Sequence, residues 1–355
     1  MVEAATPLVG VAVKNLYKIF GPTPEKFLQP VRDGMSKQEL RDTHGHVLGL
    51  RDISIDMPAG AIQVVMGLSG SGKSTLIRHI NRLIDPTAGE IWVGADDVVQ
   101  MSARRLLRFR RERTAMVFQK FALFPHMTVV ENAAFGLQIQ HISPKKRHAC
   151  AMRWVERVGL KGYEDNYPNQ LSGGMQQRVG LARALANDAP ILLMDEAFSA
   201  LDPLIRGDMQ SVLLDLQQEL SKTIVFITHD LDEALRLGDR IAILRDGEVV
   251  QQGTGQQIVL QPANDYISSF VKDVNRGRVI RCRTLMKTGA PVQGPEVDAS
   301  MVIEEAARLL SGAGQEAANV VSSKGRHLGT LSMADIIAAM VPPNVESSTQ
   351  PTPLS

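Results

Sequence analysis

The stretch "GLSGSGKST", residues 67–75, carries the strongest chemical signal in this chain of 355 residues. Gly67, Gly72, Lys73 and Ser74 satisfy GxxxxGK[ST], and the motif lies where its mechanism needs it, after a strand-like run ("AIQVVM") and before a helix. Glycines there let backbone N–H groups wrap phosphates, and the helix N-terminus adds positive potential. Leu68, Ser69, Gly70, Ser71 and Thr75 complete the loop. Lys73 is placed to reach the β- and γ-phosphates of a nucleotide such as ATP, and the Ser74 hydroxyl to ligate Mg²⁺.

Three further positions belong to the same chemistry. The apolar run "ILLMDE" ends in Asp195, a carboxylate at the C-terminal edge of a sheet, where it can hold Mg²⁺ through water. Glu196 follows, positioned to polarise an attacking water as general base. Another strand-like run ends at "FITHD", where His229 can hydrogen-bond the γ-phosphate or that water. Gln119 also follows an apolar run, and its amide can reach Mg²⁺ or the water. A second glycine-rich helix start, "LSGGMQQRVGLARAL" at 171–185, looks redundant beside the first.

Elements must hold these groups together. Residues 10–20 read as an opening strand, followed by a polar insert at about 22–48. Within it Ser36 and Glu39 have capping-box spacing and Gly45 can stop the helix. Strands follow around 49–56 and 61–66, and about 102–185 reads as mainly helical, beginning with "SARRLLRFRRER". The runs "APILLMD" and "TIVFITHD" read as strands buried on both faces, with a helix at 203–221 between them. A hairpin turns at Asp246–Gly247. Alternating strands and helices predict an α/β fold with a mostly parallel sheet. Beyond about 275 the pattern changes to strand, helix, strand, strand, helix over Val297–Val341, and 346–355 reads as a disordered tail.

Composition narrows the setting. A net charge of +1 argues neither for nor against a polyanionic partner, and two cysteines, Cys150 and Cys282, without CxxC spacing provide neither a disulfide scaffold nor a cysteine zinc site. No secretory signal is legible, and no apolar run approaches the roughly 18 residues that span a bilayer. Any work at a membrane then requires other chains.

The ordered set "GLSGSGKST", "VFQ", "LSGGMQQR", "ILLMDE", "SALD" and "THD" resembles the ATP-binding cassette family over about residues 10–255. The resemblance implies a RecA-like core, an antiparallel β subdomain and an inserted helical subdomain at about 102–185. It implies that two copies pair head to tail, so that Ser172, Gly173, Gly174 and Gln176 of one chain cap the γ-phosphate held by the other. By the same resemblance Asp202 couples the opposite sites and Phe20 stacks on adenine, with Tyr17 as the alternative. The stretch after Gln119 is similar to the surface by which importer cassettes engage a permease, with Phe121, Phe124 and Met127 as candidate contacts.

More narrowly, "VKNLYKIFG", "VMGLSGSGKSTLIRHINRLIDPTAGEI" and "MDEAFSALDPLIR" resemble the glycine betaine/proline-type importers of quaternary-ammonium osmolytes. That resemblance implies membrane permease subunits, an extracellular or periplasmic substrate-binding protein, and a peripheral place on the cytoplasmic face of the bacterial inner membrane. It spans an ATPase domain at 1–275 and, at 276–345, one copy of a motif similar to a cystathionine-β-synthase (CBS) regulatory module. Two competing readings are a cassette ATPase acting on nucleic acid or ribosomes, and a nucleotide-responsive module that switches without hydrolysis. The arginine-rich run at 102–113 lacks interleaved aromatics apart from Phe109, which disfavours nucleic acid, and the presence of Glu196 with His229 opposes the second.

Overall fold

An antiparallel sheet is built by β1 (Val11–Phe20), β2 (Val47–Met57), β4 (Ala88–Val93) and β5 (Asp96–Asp97), in the order β2-β1-β4-β5. Phe20 pairs with Val47, so the insert between them is one long hairpin connection that leaves and returns at a single point. It holds α1 (Leu28–Arg32) and α2 (Lys37–His44). Ser36 caps α2 by accepting from the Glu39 N–H at 3.0 Å, and the helix ends at Gly45. Val31 and Leu40 tie the insert down by packing with Tyr17, Ile19 and Leu48. The computed structural model describes residues 8–119, 122–199 and 201–341, the side chain of Gln218 excepted. Phe121 and the tail at 346–355 lie outside the described residues.

A second, six-stranded sheet runs in the order β10-β9-β3-β8-β7-β6. Its members are β3 (Ile62–Met66), β6 (Thr114–Val117), β7 (Ile191–Asp195), β8 (Thr223–Thr228), β9 (Arg240–Arg245) and β10 (Glu248–Gly253). All neighbours are parallel except the edge hairpin β9–β10. β3, β7 and β8 are buried at every residue, which explains the apolar runs Val64–Met66, Ile191–Met194 and Ile224–Ile227. Ile191, Leu193, Val225 and Ile227 enter a core shared with the antiparallel sheet and with α3 (Lys73–Ile80). The intervening Phe226 points the other way, as strand pleating demands, and stacks on Phe198 with centroids 5.5 Å apart.

The strand β6 departs from the helical reading of 102–185. Its four residues are too few to show a period, and pairing with β7, from Thr114–Ile191 to Val117–Met194, decides their state. The preceding α4 (Ala103–Glu112) buries Leu106 and Phe109 in the core shared by both sheets. The inserted helical layer is therefore α5 (Val129–Ile139), α6 (Pro144–Arg157) and α7 (Gly173–Ala186). α8 (Pro203–Leu220) and α9 (Leu231–Leu237) complete this part of the chain.

Contacts divide the chain after Gly255. The change in sequence character near 275 suggested a boundary twenty residues later. The earlier division follows from α10 (Gly255–Leu260), whose Leu260 packs on the second unit's core and whose Gln256 Oε1 accepts from the Arg281 N–H at 3.4 Å. That unit also holds α11 (Asp265–Val271), α12 (Cys282–Leu285), α13 (Ile303–Ala313) and α14 (Met333–Met340). β11 (Glu296–Asp298) is parallel to β12 (Ala317–Val321), which is antiparallel to β13 (His327–Ser332). Ser332 caps α14 by accepting from the Asp335 N–H.

Phe226→Ala removes one half of the buried aromatic pair and is expected to cost about 3–5 kcal/mol of stability. Urea unfolding of the purified chain measures it, and a loss below about 1 kcal/mol would contradict the packing described.

Candidate functional site

The parallel strands end in register. Met66 lies beside Thr228, Asp195 beside Ile227, and Val117 beside Met194, so four loops leave one edge of the sheet together. This is where open α/β sheets bind ligands. The loop after β3 is the glycine-rich one. Gly67 sits at φ +150°, and a Cβ there would lie 2.2 Å from the Leu244 carbonyl oxygen. Gly72, at φ +99°, would bring a Cβ within 2.8 Å of the Gly49 carbonyl oxygen. Only glycine fits at either position.

Lys73 is buried and donates to the carbonyls of Gly67 (2.8 Å) and Leu68 (3.0 Å). Burial pulls its ammonium below the ordinary lysine range, while the charges of Glu196 and Asp195 pull the other way. Ser74 Oγ donates to Asp195 Oδ1 at 2.7 Å. Arg78, which sequence reading missed, approaches the other oxygen at 3.2 Å. Its helical position one turn beyond Ser74 was the available signal.

Glu196 adopts φ +46°, a left-handed conformation that costs energy in a non-glycine residue and clusters at functional sites. Its carboxylate accepts from Gln119 Nε2 at 2.7 Å, and His229 Nδ1 lies 3.6 Å away, outside hydrogen-bond range. Lys73 Nζ is 3.9 Å distant. The structure thus gathers Lys73, Gln119 and His229 around the Glu196 carboxylate, the four residues coming from the ends of four different strands.

A cavity of about 360 Å³ opens over the glycine-rich loop. Ser69, Gly70, Gly72, Lys73, Ser74 and Thr75 line it, as do Gln119 and Glu196. Leu68 is exposed and Ser71 buried; neither lines the cavity, although the Leu68 carbonyl holds Lys73. Phe20 forms one wall and is 38% exposed, whereas Tyr17 is 7% exposed, packed in the insert's cluster beneath the Arg32 guanidinium. Of the two aromatic candidates, only Phe20 lines the cavity, with the Lys18 ammonium 5.0 Å over its ring. Gly49, also missed from sequence, makes room for it: a Cβ there would meet Phe20 Cε2 at 2.7 Å.

The second glycine-rich helix start lies elsewhere. Ser172 caps α7, accepting from the Met175 N–H at 3.3 Å, and Asp202 caps α8, accepting from the Ile205 N–H at 3.1 Å. Ser172, Gly173, Gly174 and Asp202 line a separate cavity of about 560 Å³ that has no residue in common with the first. Gln176 does not join them. Its side chain turns back to donate to the Pro168 and Leu171 carbonyls, fixing the turn that precedes the helix.

A third groove, of about 320 Å³, runs between α5 and α6 and is lined by Met127, Val130, Ala134 and Arg147. Phe124 stacks on Phe135 at 4.4 Å and lies outside it. Buried Asn132 holds the loop's shape by donating to the carbonyls of Phe124, Met127 and Thr128.

Magnesium demands hard oxygen donors and keeps several positions for phosphate and water. The adjacent Ser74 hydroxyl and Asp195 carboxylate fit that requirement. Gln119 lies at the same cavity, with its amide nitrogen engaged by Glu196. Among the described residues, no cluster of three or more His, Cys, Asp or Glu side chains could hold a metal by itself.

An ATP-binding cassette is the class of protein that this fold and these loops define. Residues 50–199 match the ABC transporter family model. The chain belongs to the ATP-binding proteins of the ABC transporters, and it is an ATP-hydrolysing transport subunit. It is 51% identical over 292 residues to the glycine betaine transport ATP-binding protein OpuAA of Bacillus subtilis, covering 81% of this chain and 70% of the relative. It is 44% identical over 321 residues to the trimethylamine N-oxide transport system ATP-binding protein TmoW of Ruegeria pomeroyi, covering 90% and 94% respectively. A dimeric ATP-binding cassette solved in a post-hydrolysis state with ADP and Pi is similar at TM-score 0.59 and 32% identity, over 69% of this chain and 98% of that one.

Gly49→Val forces a side chain into the space of Phe20. It is expected to weaken ATP binding roughly fivefold or more, the low end for loss of one base–aromatic contact. Calorimetric titration checks this, and an unchanged Kd in a folded variant would remove Phe20 from the nucleotide wall.

Proposed function

We propose that the chain powers uptake of a small methylated-amine osmolyte through a partner permease, working as a head-to-tail homodimer on the cytoplasmic face of a bacterial inner membrane. The observation that carries the pairing is the separation of the two glycine-rich helix starts into different cavities of one chain. Each is half of an anion cage, and two copies facing one another complete both halves. ATP then joins the pair, and hydrolysis releases it, since each charge-assisted hydrogen bond lost is worth roughly 1.5–3 kcal/mol.

Within one site Lys73 binds the β- and γ-phosphates, Phe20 stacks on adenine, and Ser74 with Asp195 holds Mg²⁺, the group that neutralises charge on the phosphate oxygens when bound. Glu196 accepts the proton of the attacking water. Gln119, hydrogen-bonded to that carboxylate, and His229 beside it orient the water and the γ-phosphate. Ser172, Gly173 and Gly174 approach from the partner, and Asp202 links the two sites. Gln176 supports the signature turn from behind.

Quaternary amines are favoured as cargo by the glycine betaine relatives. A second reading, trimethylamine N-oxide, rests on the Ruegeria pomeroyi relative, whose length this chain nearly matches. Both are small, highly polar methylated amines, and a periplasmic or extracellular binding protein selects between them. The ligand retained by that companion protein discriminates the two. The groove at Met127 is a surface for the permease, and no helix among the described residues is long and apolar enough to cross a membrane. The module within 276–345 is a CBS-like regulatory element, one copy per chain, that responds to ionic strength or a nucleotide.

Glu196→Gln is expected to bind ATP, accumulate as a closed dimer and hydrolyse at least about 100-fold more slowly, as loss of a general base requires. Size exclusion with ATP and a phosphate-release assay test it; vigorous turnover would overturn the assigned base. Removing residues 256–355 is expected to flatten the salt dependence of ATPase activity in the assembled transporter. Identical salt responses with and without them would sink the regulatory role.

A further inference from the structure

The insert between Phe20 and Val47 contributes one side chain to the nucleotide cavity: Lys37, the first residue of α2. We propose that Lys37 binds the phosphate chain of the nucleotide, making the insert a wall of the ATP site. The inference rests on the ATP reading and adds a residue to it.

The geometry fixes where Lys37 can act. Phe20 and Val47 are paired, so the insert emerges beside the aromatic wall. Arg51 anchors the loop before α2, donating to the Met35 carbonyl at 2.5 Å while its other terminal nitrogen pairs with Glu248 at 3.2 Å. Buried Leu40 and the Ser36 cap hold the helix in place, so the Lys37 backbone is fixed and its side chain is free to choose a partner.

Its partner in the structure is Asp246, at 3.8 Å. That is too long for a hydrogen bond, and both side chains are open to water, at 40% and 71% exposure, so the pair is weak. Asp246 belongs to the turn of the β9–β10 hairpin, which touches the phosphate loop directly: the Gly247 N–H donates to the Ser71 carbonyl at 3.1 Å. Lys37 lines the same cavity as Ser69, Gly70, Gly72 and Lys73 of the phosphate loop. An ammonium that exchanges a loose carboxylate for a phosphate oxyanion gains a shorter, charge-assisted contact. Asp246, which Arg245 also approaches at 3.5 Å, in turn competes with the nucleotide for Lys37 and repels its charge.

This arrangement predicts opposite signs for two neighbouring substitutions in the purified full-length chain. Lys37→Ala is expected to raise the Kd for AMP-PNP about five- to tenfold, the worth of one partly exposed charge-assisted contact, and to raise the ATPase KM without a matching fall in kcat. Asp246→Asn, which asparagine tolerates at φ +52°, is expected to lower the Kd. In the Lys37→Ala background Asp246→Asn should give a smaller gain, because the competition is gone. Lys37→Arg should restore binding, and adenosine, which has no phosphate, should bind all variants alike. An unchanged AMP-PNP Kd in Lys37→Ala, beside a wild-type chain that binds it, overturns the assignment of Lys37 alone. Equal weakening of adenosine also overturns it, by showing general damage to the wall. A wild-type chain that fails to bind AMP-PNP would instead overturn the ATP reading itself.

Discussion

Parallel pairing of β3, β6, β7 and β8 is the constraint on which the site depends. Each strand delivers one loop, and their common register sets where Lys73, Gln119, Glu196 and His229 stand relative to one another. A slip of one residue would turn Asp195 to the other face of the sheet and part it from Ser74. The fully buried sequences of β3, β7 and β8 make such a slip costly, because their apolar side chains are fitted on both faces. Chemistry at the edge is thus secured by packing in the interior.

Around that frame, local rules are broken where the ligand must approach. Glu196 accepts a left-handed backbone directly after a strand, and Gly67 and Gly72 press against carbonyls that no side chain would allow. Of these positions Glu196 and Gly72 line one cavity, and Gly67 starts the loop that forms its floor. The antiparallel sheet supplies a different element, an aromatic face backed by Gly49, and the hairpin turn at Asp246–Gly247 braces the phosphate loop from the other side.

Much of this was legible in the sequence, for reasons that differ by residue. The phosphate loop declares itself because its residue types are dictated by backbone geometry. β7 and β8 do so because burial on both faces leaves unbroken apolar runs. β6 stayed hidden inside a helical stretch, since four residues carry no period and its state is decided by a partner some eighty positions away. Phe20 and Tyr17 were indistinguishable until burial separated them. Gln176 carries a signature residue type, yet its amide serves the turn behind it, a choice made by local carbonyls that no spacing reveals. Arg78 had one signal, its place a helical turn beyond Ser74, whereas Gly49 and Lys37 reach the cavity through contacts across the fold and their sequence neighbours give them no distinguishing mark.

The placement of the two glycine-rich helix starts in separate cavities has a genetic corollary within the paired reading. A chain crippled at Lys73 and another crippled at Ser172 concentrate both defects in one of their two shared sites when they meet. The other site then receives an intact phosphate loop and an intact signature. Two alleles that each fail alone can therefore restore one working half-machine in the same cell, whereas two alleles altered in the same cavity cannot.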